Sequence, residues 1–219
     1  MKESKINAIK RELHEFAILV EHMIERSIKG LVSRDREMLT AVIEQDEAKA
    51  NKFETTIDEL CTAFIAQFQP KAKNLRTVLM ILKMNNDLER VADHAVNISE
   101  SGLFLIERPQ VKPYIDLPKM AETVTKMLGD SIYGFINEDG VLARSVCKRD
   151  EIADDLQDKI LRDLVTVMSR DSSTIERSVH LIRIVRNLER VADLSTNICE
   201  DVVFMVEGKV IKHQMDLGR

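Results

Sequence analysis

The sequence predicts an all-α protein built as two tandem, pseudo-symmetric antiparallel three-helix bundles, and three observations carry that expectation. Apolar residues recur at spacings of three and four along nearly the whole chain, which is the period of a helix with one buried face. Only seven of the 219 residues are Gly and four are Pro, so turns are few and the segments between them are long. The third observation is a repeat. Asp87 to Ser101, DLERVADHAVNISES, matches Asn187 to Asp201, NLERVADLSTNICED, at nine of fifteen positions without a gap, where unrelated segments would agree at about one.

Each element follows from its own residues. Ile6, Ile9, Leu13, Phe16, Ala17, Val20, Ile24, Ile28 and Leu31 mark a first helix over roughly Ser4 to Val32. Asp35 is placed to cap a second, whose apolar positions from Leu39 through Val42, Phe53, Ile57 and Phe64 continue to Phe68, with Pro70 closing it. Asn74 offers a cap for a third helix that carries Leu79, Leu82, Leu88, Val91, Ala95, Ile98 and Leu105 and ends near Arg108. Three prolines between Pro109 and Pro118 make that stretch a connector. Beyond it no proline remains, and the pattern restarts. A fourth helix carries Met120, Val124, Leu128 and Phe135, and a fifth carries Val146, Ile152, Leu156, Ile160 and Leu164. Ser172 or Ser173 can cap a sixth, which runs to Gly208 as its C′ residue. The expected units are residues 1–108 and 109–219. Their second helices also correspond, with Gln45-Asp46-Glu47 set opposite Arg149-Asp150-Glu151.

Composition narrows the function. A net charge of −5 and a pI near 5.6 argue against nucleic acid as a direct partner, because binding a phosphate backbone needs a concentrated cationic face. The first residues lack the apolar core of a signal peptide and no apolar run exceeds five residues, so the expectation is a cytoplasmic protein that meets a membrane only through partners. Cys61, Cys147 and Cys199 are an odd, widely spaced set, read as reduced and mostly buried thiols.

The residues that point to chemistry are acids. Glu89 with Asp93, and Glu189 with Asp193, are four apart and are followed a turn later by Asn97 and Asn197. Steps of four advance only about 40° around a helix, so each set forms one stripe. Like charges at this spacing weaken a helix slightly, and a bound cation would offset that. Asp46 on the second helix, and Asp150 with Asp154 on the fifth, converge on these stripes if neighbouring helices pack antiparallel. Oxygen-rich sets of this kind suit magnesium, manganese, iron or zinc. The plainer alternative is the solvated face of any amphipathic helix, with Arg90 and Arg190 as neutralising neighbours. His94 has Leu194 as its counterpart and reads as a surface residue. No Glu-x-x-His pair, phosphate loop or nucleophile motif is present, so an enzyme is not expected. A carboxylate-bridged, metal-dependent phosphate-handling hydrolase stays as the alternative, and a metal-free helical scaffold as a third reading.

The segment Gln69 to Arg76, the block Leu88-Glu89-Arg90-Val91-Ala92-Asp93, its twin Leu188 to Asp193 and Asn197-Ile198-Cys199-Glu200 resemble the signatures of the PhoU family. That resemblance covers nearly the whole chain. It implies two three-helix bundles and surface metal clusters, multinuclear and of iron or zinc before magnesium or manganese, held by repeated acidic pairs that here match Glu89-Asp93, Glu189-Asp193 and Asp150-Asp154. Ala50 follows Asp46 where the pattern asks for an acid, which weakens the first cluster. The resemblance also implies a regulatory adaptor between a phosphate ABC transporter and a sensor histidine kinase, keeping phosphate-starvation genes off, with homodimerisation left open.

Overall fold

The computed structural model describes residues 2–207, which form helices and short turns with no strand among them. Helix α1 (Lys2–Ser33) leads into α2 (Arg36–Ala41), a π-helical turn (Val42–Asp46) and α3 (Glu47–Phe68). These last three run on as one continuous helix, since Ala41, Val42, Asp46 and Glu47 all keep right-handed helical backbone. Helix α4 (Ala72–Ile106) completes the first unit. The second contains α5 (Asp116–Ile136), α6 (Gly140–Arg170) and, after a single 3₁₀ turn at Ser172–Thr174, α7 (Ile175–Glu207). The fold is thus the expected one of six long helices in two groups of three.

The two units turn their first corner in the same way. Arg34 and Glu138 adopt left-handed backbone, with φ of 57° and 54°. The next N–H, of Asp35 or Asp139, reaches back to the carbonyl of Gly30 or Gly134 at 2.8 Å, which closes the helix end as a Schellman motif. Each aspartate then caps the following helix, its carboxylate accepting from the N–H of Met38 or Leu142 at 2.9 Å. Asp35 was expected in this role. Two other caps differ from expectation. Asn74 lies inside the first turn of α4, because the chain re-enters helix at Ala72 directly after Pro70. Asp171, rather than Ser172 or Ser173, stops α6 and holds the 3₁₀ turn by accepting from the Ser173 N–H at 2.9 Å. Pro118 belongs to the first turn of α5, where its missing N–H leaves no bond unmade. Gly208 lies outside the described residues.

One core runs through both units. Leu13, Phe16 and Val20 of α1, Ile57 and Cys61 of α3, Leu88, Val91 and Ile98 of α4, Leu128 and Phe135 of α5, Ile160 and Leu164 of α6, and Leu188, Val191 and Ile198 of α7 belong to a single buried cluster. Within the units α1 and α3 pack on α4, and α5 and α6 pack on α7; between the units α1 packs on α5 and α4 on α7. Polar contacts cross that seam: Lys83 pairs with Asp201, and the Nδ1 of His94 lies 2.8 Å from Oδ1 of Asn187. His94 is half-buried between α4 and α7, which corrects its reading as a surface residue. It faces the partner unit, so its counterpart can be the apolar Leu194.

The π turn explains a difference between the halves. Ahead of it, Leu39 and Val42 match Ala143 and Val146, all four buried. Beyond it the buried positions match only after a one-residue shift, Ala50 with Ala153 and Ile57 with Ile160. The first unit carries one extra residue, absorbed as a wide turn that leaves the core-facing stripe in place. Asp46 therefore corresponds to Arg149, while Glu47 corresponds to Asp150 and Asn51 to Asp154. The pairing of Asp46 with Asp150 read from the sequence is one residue out.

Candidate functional site

The acids of the second unit do meet. Helices α6 and α7 run antiparallel and pack along their length, which sets the outer edge of α6 against that of α7. Ala153, Leu188, Val191 and Ala192 on the inner edges are buried, and this fixes Asp150, Asp154, Glu189 and Asp193 along the rim. Burial first, then the charges of Asp154, Asp193 and Glu189, push the Asp150 carboxyl up to about 6. Asp154 is raised by burial and by Asp158, Asp155 and Glu151; Glu189 by burial and then Asp193; Asp193 by burial and then Asp154. Arg190 acts against the shift at both Glu189 and Asp193. These groups feel one another, although as their side chains stand no three His, Cys, Asp or Glu among the described residues close on a common point.

In the first unit the corresponding edge is less acidic. Burial raises Glu89, followed by the charges of Asp93 and of Glu54 on α3. Glu54 was not singled out from the sequence, and its place three and four residues before Ile57 and Asp58 on the rim of α3 was the available signal. Asp46 lies elsewhere. It is buried, with one oxygen 2.6 Å from Arg26 and the other 2.8 Å from Lys49, so both oxygens are already occupied by cations. The equivalent pair in the second unit is reversed in sign, Asp130 on α5 with Arg149 on α6 at 2.6 Å. Asn97 and Asn197 lie exposed one turn beyond Asp93 and Asp193, on the same stripe.

The donor chemistry suits a hard cation. The rim offers carboxylates backed by one another's charge, on rigid helices, open to solvent on one side. Residues Asp150, Asp154, Glu189 and Asp193 would hold such an ion in the second unit, and Glu89 and Asp93 with Glu54 or Glu47 in the first.

Fold and rim together define a class: an all-α protein of two pseudo-symmetric three-helix units, each presenting a carboxylate face on its third helix. The comparisons with known proteins make it specific. The family model described as the PhoU domain matches residues 13–102 and 117–202, and the chain belongs to the PhoU family. A relative from Aquifex aeolicus, named a phosphate-specific transport system accessory protein PhoU homolog, is 34% identical over 210 residues, spanning 96% of this chain and 95% of that one. Homolog 1 of Thermotoga maritima is 31% identical, spanning 96% and 90%. The crystal structure of PhoU from Pseudomonas aeruginosa matches with a TM-score of 0.90 at 30% identity, covering 95% of this chain and all of that one. No helix among the described residues is long and apolar enough to cross a membrane.

Proposed function

We propose that this protein is a regulatory accessory factor of a phosphate-specific transport system, acting as a non-enzymatic adaptor between a phosphate-importing ABC transporter and a sensor histidine kinase and keeping phosphate-responsive genes off when phosphate is plentiful. The observation that carries the reading is likeness across nearly the full length of both chains to proteins named as accessories of that system. In this reading metal ions held on the acidic rims serve the adaptor. A bound cation supplies charge that the clustered carboxylates otherwise lack, fixing the outer edges of α6 and α7 together and presenting a defined surface to a partner. Iron, zinc, manganese and magnesium all suit carboxylate oxygen, and cluster size follows from how many acids close on it.

The units differ in donor count. Where the second has Asp150 and Asp154, the first has Glu47 and Asn51, so one charged ligand is replaced by an amide and the first site is the weaker. Elemental analysis of protein purified without added metal tests the metal. Asp193→Asn is expected to lower metal per chain with the fold intact, and Asp93→Asn to lose a larger fraction of its own unit's metal. Equal metal content and an equal metal-dependent rise in melting temperature in a variant lacking Glu89, Asp93, Glu189 and Asp193 would defeat it, since an ion that binds the native state must stabilise through its ligands. The adaptor role is tested by deleting the gene: phosphate-starvation genes should then be expressed in high phosphate and be silenced again by the wild-type chain. Phosphoester turnover by the metal-loaded protein would favour the hydrolase instead.

A further inference from the structure

A groove lies between the end of α1 and the start of α5, enclosing about 420 Å³ and open to solvent along one side. That volume suits a whole small molecule, whose sites span about 300–1,000 Å³. Ile28, Val32, Pro118 and Ala121 supply apolar walls, and Glu25 on α1 and Glu122 on α5 each add a carboxylate, against the single lining cation Lys29. Neither carboxylate is ion-paired among the described residues. Thr125 also lines the groove. It is 7% exposed, and its hydroxyl has no hydrogen-bond partner among the described residues. Thr77, Thr123 and Thr166, by contrast, each donate to the carbonyl four residues back, the common recourse of a helix threonine. A buried hydroxyl left bare carries a cost that a bound polar group removes.

The duplication shows how the same space is filled elsewhere. In the register that sets Gly30 opposite Gly134, Thr125 matches Glu21, Val32 matches Ile136 and Tyr114 matches Lys10. At the other end of the α1–α5 seam the larger Glu21 lays its carboxylate against Gly129. Lys10 sets its ammonium 5.3 Å from the Phe135 ring centre and donates to the Ile136 carbonyl at 3.4 Å. Tyr114 belongs to the connector and stands beside Ile160 and Leu164 instead, so the open groove lacks the alkyl chain and ammonium that its counterpart carries. We propose that this groove binds a free aliphatic amine, a methylene chain ending in an ammonium, as in diamines and polyamines. The chain would lie along Ile28, Val32 and Ala121, with ammonium groups donating to Thr125 Oγ1 and to the Glu25 and Glu122 carboxylates. The volume favours a whole ligand over the single lysine that a partner protein would insert.

The test titrates the full chain, in chelator, with spermidine, with n-hexylamine and, as the anionic control, with sodium hexanoate, followed by calorimetry and methyl NMR. Both amines should saturate one site per chain and shift the methyls of Ile28, Val32, Ala121 and Thr125, while hexanoate leaves them in place. Glu25→Gln/Glu122→Gln should weaken amine binding by about tenfold or more, the effect of removing charge-assisted hydrogen bonds. Glu151→Gln/Asp155→Asn, which neutralises two exposed acids of α6, should leave it unchanged. Thr125→Val should weaken binding and also raise the melting temperature of the free protein, since the bare hydroxyl is gone. Amine binding that shifts only methyls elsewhere, that survives loss of both glutamates or that hexanoate matches would overturn the proposal. So would a wild-type dimer with these four methyls in its interface, because the groove would then hold a second copy.

Discussion

Glu21 shows what a single residue carries that spacing along one helix does not reveal. It lies on α1 where α5 crosses, its carboxylate fitted against Gly129, where even an added Cβ would stand 3.2 Å from Oε1. Burial first, then Glu25 and Asp130, push it up to about 7. The native state therefore keeps a proton that the unfolded chain releases near 4.5, so the native state binds more protons between those values and stability falls as pH rises from about 4.5 to 7, then levels. Glu21→Gln should remove that slope and gain about 1–2 kcal/mol above pH 7, after allowance for solvent screening. Urea titrations at pH 5 and pH 8 check it, and an unchanged pH slope in the variant would exclude this assignment. Asp46 is the second case. Asp46→Ala leaves Arg26 without its 2.6 Å partner and should cost about 1–3 kcal/mol. The double variant Arg26→Asp/Asp46→Arg should recover at least half of that loss, because the second unit already uses the reversed pair Asp130 and Arg149 at the same distance. A double variant no better than the single one would show that the two settings are not interchangeable.

At the scale of elements, apolar periodicity made the six helices legible; the cap Asp35 was legible too, whereas its counterpart Asp139 was recognised only from the corner that the two units share. The π turn was not legible from acidic residues, since Asp46 and Asp150 look like a match. The apolar frame held the signal: Ala50 and Phe53 align with Ala153 and Leu156 only if one residue ahead of them is extra. Deleting exposed Gln45 should thus convert Val42–Asp46 into ordinary helix and leave a cooperative fold, as the uninterrupted α6 demonstrates for the other unit. Deleting exposed Lys52, where no residue is spare, would rotate Ile57, Cys61 and Phe64 by about 100° off the core and should abolish the melting transition. Circular dichroism melts distinguish the two, and equal damage from both deletions would contradict the shifted register. A related pair concerns packing. Leu39 lies within 2.9 Å of where a Gly30 side chain would begin, so Gly30→Ala should cost about 1–3 kcal/mol through overpacking. Leu39→Ala should relieve that clash, because Ala143 already faces Gly134 in the second unit.

For the whole molecule, the duplication was legible from the block around Leu88 and Leu188, and so were the rim acids of α4 and α7, because a four-residue step within one helix needs no tertiary information. The acids of α3 and the seam between the units needed the packed structure. Nothing in His94 or Asn187 alone announces that they meet, and Glu54 reaches Glu89 only once α3 lies on α4. The sequence also allows each half its own core by length, whereas the structure runs one buried cluster from Phe16 and Leu88 through Leu128 and Leu188. That continuity predicts how the molecule unfolds. Separating the units would bare the faces of α5 and α7 that pack on α1 and α4, and at about 25 cal/mol per Å² of apolar surface returned to water neither half should hold its fold unaided. Urea unfolding of the full chain followed by far-ultraviolet circular dichroism should show one transition, with a slope that scales with the surface of all six helices rather than three. A segment spanning residues 116–207 expressed by itself should be poorly helical or should pair with a second copy through the bared seam. Two separate transitions in the full chain, or a monomeric segment that melts cooperatively with full helicity, would show that each unit is stable alone and that the shared core only docks them.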